Sequence, residues 1–287
     1  MNRYIQEKYI QTNGVLLHAL DHPGGEPTLV YLPGLTANAR LFDGVAQAGV
    51  TPRFRILALD LRGRGLSDKP ESSYTMADHA ADVIGVLDAE GIEQATLVGH
   101  SFGGLLSLYL AANYPDRVER IVIIDAAKAA ADPKVAEMIR PSLDRLGTVL
   151  PSVDAYIAAM KQMPFLDDLW DDSLEAYFQA DMQVNDDGTA QAHATPAAIG
   201  AVIDGILEED WEAIINGVIC PAVLINATDP YGPPGSPPIL TETDARETAA
   251  QMANCQYIHV PGNHVTMVFG KNAKQVAKAI TEFITGD

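Results

Sequence analysis

Cysteine is nearly missing from this sequence: Cys220 and Cys255 are the only two in 287 residues, and both are flanked by apolar segments. Two thiols without metal-ligand spacing exclude a disulfide-stapled scaffold or a zinc module and read as buried free thiols. Positive charge is scarce too, with 19 Lys and Arg against 38 Asp and Glu and a formal net charge of -19. The basic residues form no cluster, so the phosphate backbone of a nucleic acid would be repelled, and strongly anionic substrates are disfavoured unless the pocket is locally basic. Also missing is any run approaching the roughly 18 consecutive apolar residues of a membrane span. Residues 1–10 carry charges throughout and no apolar signal core, so we expect a soluble, cytoplasmic chain with no membrane partner. None of the seven histidines pairs with Asp or Glu at ligand spacing beside a third ligand, so neither a metal nor any other cofactor is expected.

Apolar side chains are abundant, at 47% of residues, which suits one large domain with an insertion better than two separate enzymes. The most informative stretch is Ala95 to Val98, an apolar strand running into Gly99-His100-Ser101-Phe102-Gly103, with Leu105, Leu108, Tyr109 and Ala112 following at helical spacing. Ser101 then falls on a sharp strand-to-helix turn, where Gly99 and Gly103 keep side chains out of a crowded crossing. Gly-x-Ser-x-Gly alone is commonplace, and a glycine-rich turn with an N-cap serine is its ordinary reading. Here the flanking strand and helix, and the residues downstream, add weight.

Three strands are expected upstream, from Tyr4 to Gln11, Val15 to Leu20 and Thr28 to Leu32, giving an antiparallel entry to a sheet. Pro33-Gly34-Leu35-Thr36-Ala37-Asn38 then leads into a helical stretch, and Arg55 to Leu59 forms the next strand. Thr75 to Leu87 reads as an amphipathic helix opened by a Thr75 cap with Asp78 three residues on. Val118 to Ile124 is a buried strand ending at Asp125. From Asp132 to Asn216 the pattern turns helical, rich in Ala, Met and acids and broken by Pro141, Pro151, Pro164 and Pro196, with no alternating strand. Ala222 to Asn226 is a further strand, followed by Asp229 and the Pro/Gly-rich stretch Pro230 to Pro238, a long semi-rigid loop that borders the cleft in this reading. A helix over Thr241 to Met252 and a strand over Gln256 to Val260 lead to Pro261-Gly262-Asn263-His264.

From about Thr28 to Phe283 these motifs resemble the α/β-hydrolase family. The resemblance implies an α/β fold, a mostly parallel central sheet flanked by helices. The core would occupy 1–131 and 217–287, with an inserted helical cap at 132–216. It implies Ser101 as nucleophile, Asp229 as acid and His264 as base, in that chain order. Asp125, which also ends a central strand, is the alternative acid. The backbone N–H groups of Leu35 and Phe102 would form the oxyanion hole. This chain departs from the family pattern in carrying Pro33 and Arg64 where His is common and Asn226 where Gly is common. Losing the first His removes a hydrogen bond that steadies the oxyanion loop, although backbone donors do not depend on side-chain identity. The segment Asp60 to Pro70 resembles the family's Asp-x-Arg-Gly-x-Gly-x-Ser loop and reads as a structural turn with solvated or locally paired arginines. His100 is expected to pack or hydrogen-bond beneath the nucleophile, and His259 to be structural.

Met160, Phe165 and Tyr177 are taken as substrate-binding residues in an adaptable apolar wall that favours uncharged or weakly polar acyl groups. The competing reading makes them glue between cap helices. A small-molecule substrate is implied, with cleavage of a carboxylic ester through an acyl-enzyme. Hydrolysis of a lactone, an amide or a carbon–carbon bond stays open on the same triad, as does a non-catalytic ligand receptor on this scaffold.

Overall fold

Successive side chains on a strand point to opposite faces of a sheet, so an uninterrupted apolar run suits a strand covered on both sides. In the computed structural model, which describes residues 5–232 and 235–286, these runs become β1 (Gln6–Thr12), β2 (Val15–His22), β3 (Leu29–Leu32), β4 (Ile56–Leu59), β5 (Ala95–His100) and β6 (Val118–Ile124). A short hairpin, β7 (Met182–Val184) and β8 (Ala190–Ala192), lies apart from the main sheet, which β9 (Ala222–Asn226) and β10 (Cys255–His259) complete. The eight strands of that sheet are ordered β1-β2-β4-β3-β5-β6-β9-β10. β2 runs antiparallel to both of its neighbours, and every other pairing is parallel. Tyr4, at the expected start of the first strand, and Pro233 and Pro234 of the loop after Asp229 lie outside the described residues.

The two faces bury separate cores. Leu57, Leu97, Ile121 and Leu224 point to one, beneath the helices Met76–Glu90 and Phe102–Asn113. Their neighbours Ile56, Val98, Val122 and Val223 point to the other, covered by the helix Gly270–Thr285. Each fully buried aliphatic side chain of this kind contributes about 1.5–3 kcal/mol. The strand order reverses between β3 and β5, since the chain steps outward one way from β3 to β4 and the other way from β5 to β6. A crevice opens at the carboxyl ends of the strands at such a reversal, and ligands of open α/β sheets bind there.

The segment between β6 and β9 is mainly helical, as the sequence suggested, but it also contains the β7–β8 hairpin, where no strand was expected. Its strands are three residues each, Met-Gln-Val and Ala-Gln-Ala, too short for an alternation to stand out in the sequence. At its far end, Trp211, Ile214 and Ile215 bury in the same cluster as Leu108 and Ala111, so that last helix packs with the core. Cys220 and Cys255 are free and half-buried, and burial pushes their thiols up to about 11 and about 12. Among the described residues no helix is long and apolar enough to cross a membrane.

The helix Met76–Glu90 shows how local sequence sets an element. The Thr75 hydroxyl accepts from the Asp78 amide at 3.1 Å while the Asp78 carboxylate accepts from the Thr75 amide at 3.0 Å, and Gly91 ends the helix in the left-handed region at φ 67°. Thr75→Ala removes one half of this reciprocal cap. It should lower the free energy of unfolding by about 1 kcal/mol, seen as a lower urea midpoint with an unchanged slope.

Candidate active site

Ser101 sits between β5 and the helix Phe102–Asn113 with φ 53° and ψ -118°, a backbone conformation that side-chain-bearing residues rarely adopt. Crowding enforces it: a Cβ on Gly99 would overlap the carbonyl oxygen of Gly103, and one on Gly103 would overlap that of Leu32. Only glycine fits at either position. The Ser101 amide donates to the Ile124 carbonyl at 2.9 Å, which ties the turn to the end of β6.

The His264 ring reaches this turn from the loop after β10. Nε2 lies 3.0 Å from Ser101 Oγ, and Nδ1 lies 2.7 Å from Oδ2 of Asp125. Donation from Nδ1 to the carboxylate leaves Nε2 as the acceptor facing the serine hydroxyl. Asn263 shapes the loop, its Oδ1 accepting from the Val265 and Thr266 amides at 3.0 Å each. Below, His100 donates from Nε2 to the His264 carbonyl at 2.7 Å, the hydrogen bond expected of it.

The acid position differs from the expectation. Asp229 does not meet His264; it is exposed, and it accepts from the Gly262 amide at 3.1 Å while its own amide donates to the Gly262 carbonyl at 3.0 Å. It therefore fastens the loop on which His264 rides. Asp125, at the end of the strand adjacent to the serine strand, supplies the carboxylate. It is 1% exposed, with its second oxygen accepting from Asn226 Nδ2 at 2.8 Å and the Ala227 amide at 3.1 Å. Asn226 went unrecognised in the sequence, although its presence where the family usually has Gly was the available signal. Its carbonyl oxygen accepts from the Tyr257 hydroxyl at 3.0 Å, completing a buried network beneath the carboxylate.

A cleft of about 60 Å³ opens beside Ser101 and His264, and both Leu35 and Phe102 line it. Phe102 is the first residue of its helix, where N–H groups have no intrahelical acceptor. Apart from Asp125 and Asp132 the rest of the wall is aliphatic, with Val135, Ile139, Ile203 and Ile206 from the inserted segment and Ile239 and Leu240 from the loop before the next helix. Met160, Phe165 and Tyr177 do not contribute. Phe165 is 52% exposed, Met160 packs on the core beneath the other sheet face, and the Tyr177 ring lies against Phe178 and Phe269 at 5.2 and 5.3 Å. Met160 and Tyr177 fill space between helices, and Phe165 is exposed to solvent. The loop arginines are buried and not solvated. Arg62 makes a two-pronged ion pair with Asp82 at 2.6 Å, and Arg64 donates from Nε to the Leu35 carbonyl at 2.9 Å.

Residues 27–243, well over half of the chain, match the family model of the alpha/beta hydrolase fold. The chain belongs to the α/β-hydrolase family. Among its relatives, 2-(acetamidomethylene)succinate hydrolase of Mesorhizobium japonicum is 40% identical over 102 residues, covering 36% of each chain. The 2-hydroxymuconate semialdehyde hydrolase of Pseudomonas sp. is 34% identical over 158 residues, covering 50% of this chain and 56% of that one. The matched stretches thus span about a third to just over a half of these relatives. The same α/β-hydrolase architecture appears in the crystal structure of E-2-(acetamidomethylene)succinate hydrolase, at a TM-score of 0.83 and 23% identity over 98% of this chain and 100% of that one.

Burial pushes His100 down to about 3, aided by the nearby His264 ring. The unfolded chain takes up a proton at this position as pH falls past about 6.5, whereas the folded chain stays neutral until about 3, so acid favours unfolding across that window. Between pH 7.5 and pH 5 the parent protein should lose about 2 kcal/mol more stability than His100→Gln, which keeps a donor but cannot titrate. Urea unfolding at both pH values measures the difference, and equal losses would mean that the folded imidazole accepts the proton.

Proposed function

We propose that this chain is a serine hydrolase that cleaves an uncharged carboxylic ester of a small substrate through an acyl-enzyme. The observation that carries the reading is the hydrogen-bonded row Asp125–His264–Ser101, at 2.7 and 3.0 Å, opening onto an aliphatic cleft. In the first step Ser101 Oγ attacks the ester carbonyl as His264 Nε2 takes its proton, and Asp125 stabilises the imidazolium. The carbonyl oxygen becomes an oxyanion facing the Leu35 and Phe102 amides. Collapse of the tetrahedral species expels the alcohol, which receives the proton from His264. Water then enters, gives a proton to His264 and attacks the acyl carbon. The second collapse frees the acid and returns the proton to Ser101.

The wall supports the choice of substrate class. Among the described residues Asp125 and Asp132 are the acidic side chains that line the cleft, with no Lys or Arg beside them, so a di-acid like the succinate named for one relative lacks a partner. The small volume favours a short acyl group. Amide cleavage is the second reading, favoured by the hydrolase just named; it needs the same oxyanion and the same proton delivery, to nitrogen in place of oxygen.

Turnover of short p-nitrophenyl esters tests the proposal, with more than one equivalent of product separating an enzyme from a ligand receptor. Ser101→Ala and His264→Ala should each lower kcat by several orders of magnitude, because groups acting as a unit fail together. Asp125→Asn should cost about 10⁴-fold through the wrong imidazole tautomer. Asp229→Asn keeps an acceptor for Gly262 and should cost less than about tenfold. A dead Asp229→Asn beside an active Asp125→Asn would return the acid to the loop after β9. Ile139→Ala and Ile203→Ala should change the ratio of kcat/KM between short and long acyl esters by roughly tenfold, and Met160→Ala should leave it unchanged.

A further inference from the structure

Arg64 is fully buried, and among the described residues no carboxylate pairs with it, unlike Arg62, which Asp82 neutralises. A buried cation without a counter-charge costs stability, so its contacts should reveal what it does. Its Nε donates to the Leu35 carbonyl at 2.9 Å, and its Nη1 donates to the Arg62 carbonyl at 2.7 Å and to His79 Nε2 at 2.9 Å. His79 donates from Nδ1 to the Thr75 carbonyl at 2.9 Å, which leaves its Nε2 free to accept. The guanidinium carbon lies 5.0 Å from the centre of the Phe102 ring, and the His79 ring meets that ring edge-on, also at 5.0 Å. One side chain thus touches both Leu35 and Phe102, which line the cleft beside Ser101.

We propose that Arg64, braced by His79, is the positioning residue of the oxyanion hole, holding Leu35 by its carbonyl and Phe102 by its ring. The inference rests on the reading of those two amides as oxyanion donors. Leu35 is fixed from two sides. The Gly34 carbonyl accepts from the Ala37 amide at 3.1 Å, which orients the Gly34–Leu35 peptide and sends the Leu35 N–H the opposite way. Arg64 fixes the following peptide through the Leu35 carbonyl. The buried guanidinium thus supplies the hydrogen bond that holds the loop on the side away from the Gly34 turn. Burial pulls Arg64 down to about 9, which leaves it a cation at neutral pH. It therefore also sets a fixed positive charge behind the site where negative charge develops.

The test uses the full chain carrying Arg64→Met, which keeps a long stem and removes every donor. kcat and KM are measured with p-nitrophenyl acetate, together with inhibition by a short alkyl trifluoromethyl ketone, whose adduct with Ser101 places an oxyanion in the hole, and by the matching methyl ketone, which forms no stable adduct. Losing one oxyanion donor outright costs about 10²–10³ in kcat, so a misplaced donor should cost roughly 10- to 100-fold, with KM within about threefold. Affinity for the trifluoromethyl ketone should weaken by the same factor as kcat/KM, and affinity for the methyl ketone should hold. His79→Leu leaves the guanidinium in place and removes its brace; it should move kcat and trifluoromethyl ketone affinity together by a smaller factor, and it decides the matter if Arg64→Met does not fold. Unchanged values in a folded variant, or equal weakening for both ketones, overturn the assignment. A parent protein that neither turns over the ester nor forms the Ser101 adduct overturns the reading of the site itself, an outcome distinct from an intact adduct that survives Arg64→Met.

Discussion

Backbone crowding at the end of β5 governs the rest of this structure. Gly99 and Gly103 sit against main-chain carbonyl groups at distances that leave no space for a Cβ, so the turn takes one shape and Ser101 is held in a strained conformation. The same turn is bonded to the end of β6 through the Ser101 amide, and the end of β6 to β9 through the Asp125 amide, at 2.9 and 2.8 Å. Adjacent strands lie about 4.8 Å apart. Serine and carboxylate are consequently fixed relative to each other by the sheet itself, and His264 is the one member of the row delivered by a loop.

That arrangement explains why the carboxylate on β6 demands more of its surroundings than one on a loop would. Asp125 is buried, with φ 51°, and a buried carboxylate must have its oxygens satisfied. Asn226, the Ala227 amide and His264 supply those partners. Asn226 is itself oriented by the Tyr257 hydroxyl and the Leu240 carbonyl, at 3.0 and 3.2 Å. Asp229 then has a mechanical task at the base of the histidine loop and no part in the buried network.

Most of the architecture was legible because its signals are local. Uninterrupted apolar runs marked the strands, the Thr75–Asp78 pair marked a helix start, and glycines two residues either side of Ser101 marked the turn. The carboxylate was not legible in the same way: β6 and β9 are both apolar runs followed within a few residues by an aspartate, and only three-dimensional reach tells the two apart. The cleft wall was misjudged for a different reason. Methionine and aromatic residues stand out in a helical segment, but Trp170, Tyr177 and Phe178 stack on one another and on the core. The less conspicuous Ile139, Ile203 and Ile206 face Ser101. The hairpin at β7 and β8 was invisible because three-residue strands carry almost no period.

The two neighbouring imidazoles, His100 and His264, tilted at 41° with ring centres 4.8 Å apart, have a consequence for proton traffic. His100 spends its only N–H on the His264 backbone, and its other nitrogen is buried without a partner. Burial holds it far below the ordinary imidazole range, so at neutral pH it is too weak a base to receive a proton. In the proposed reaction the proton taken from serine therefore cannot leak sideways into the neighbouring ring. It shuttles within a closed circuit of one base and its reacting partners, and every proton borrowed in acylation is available to the leaving group.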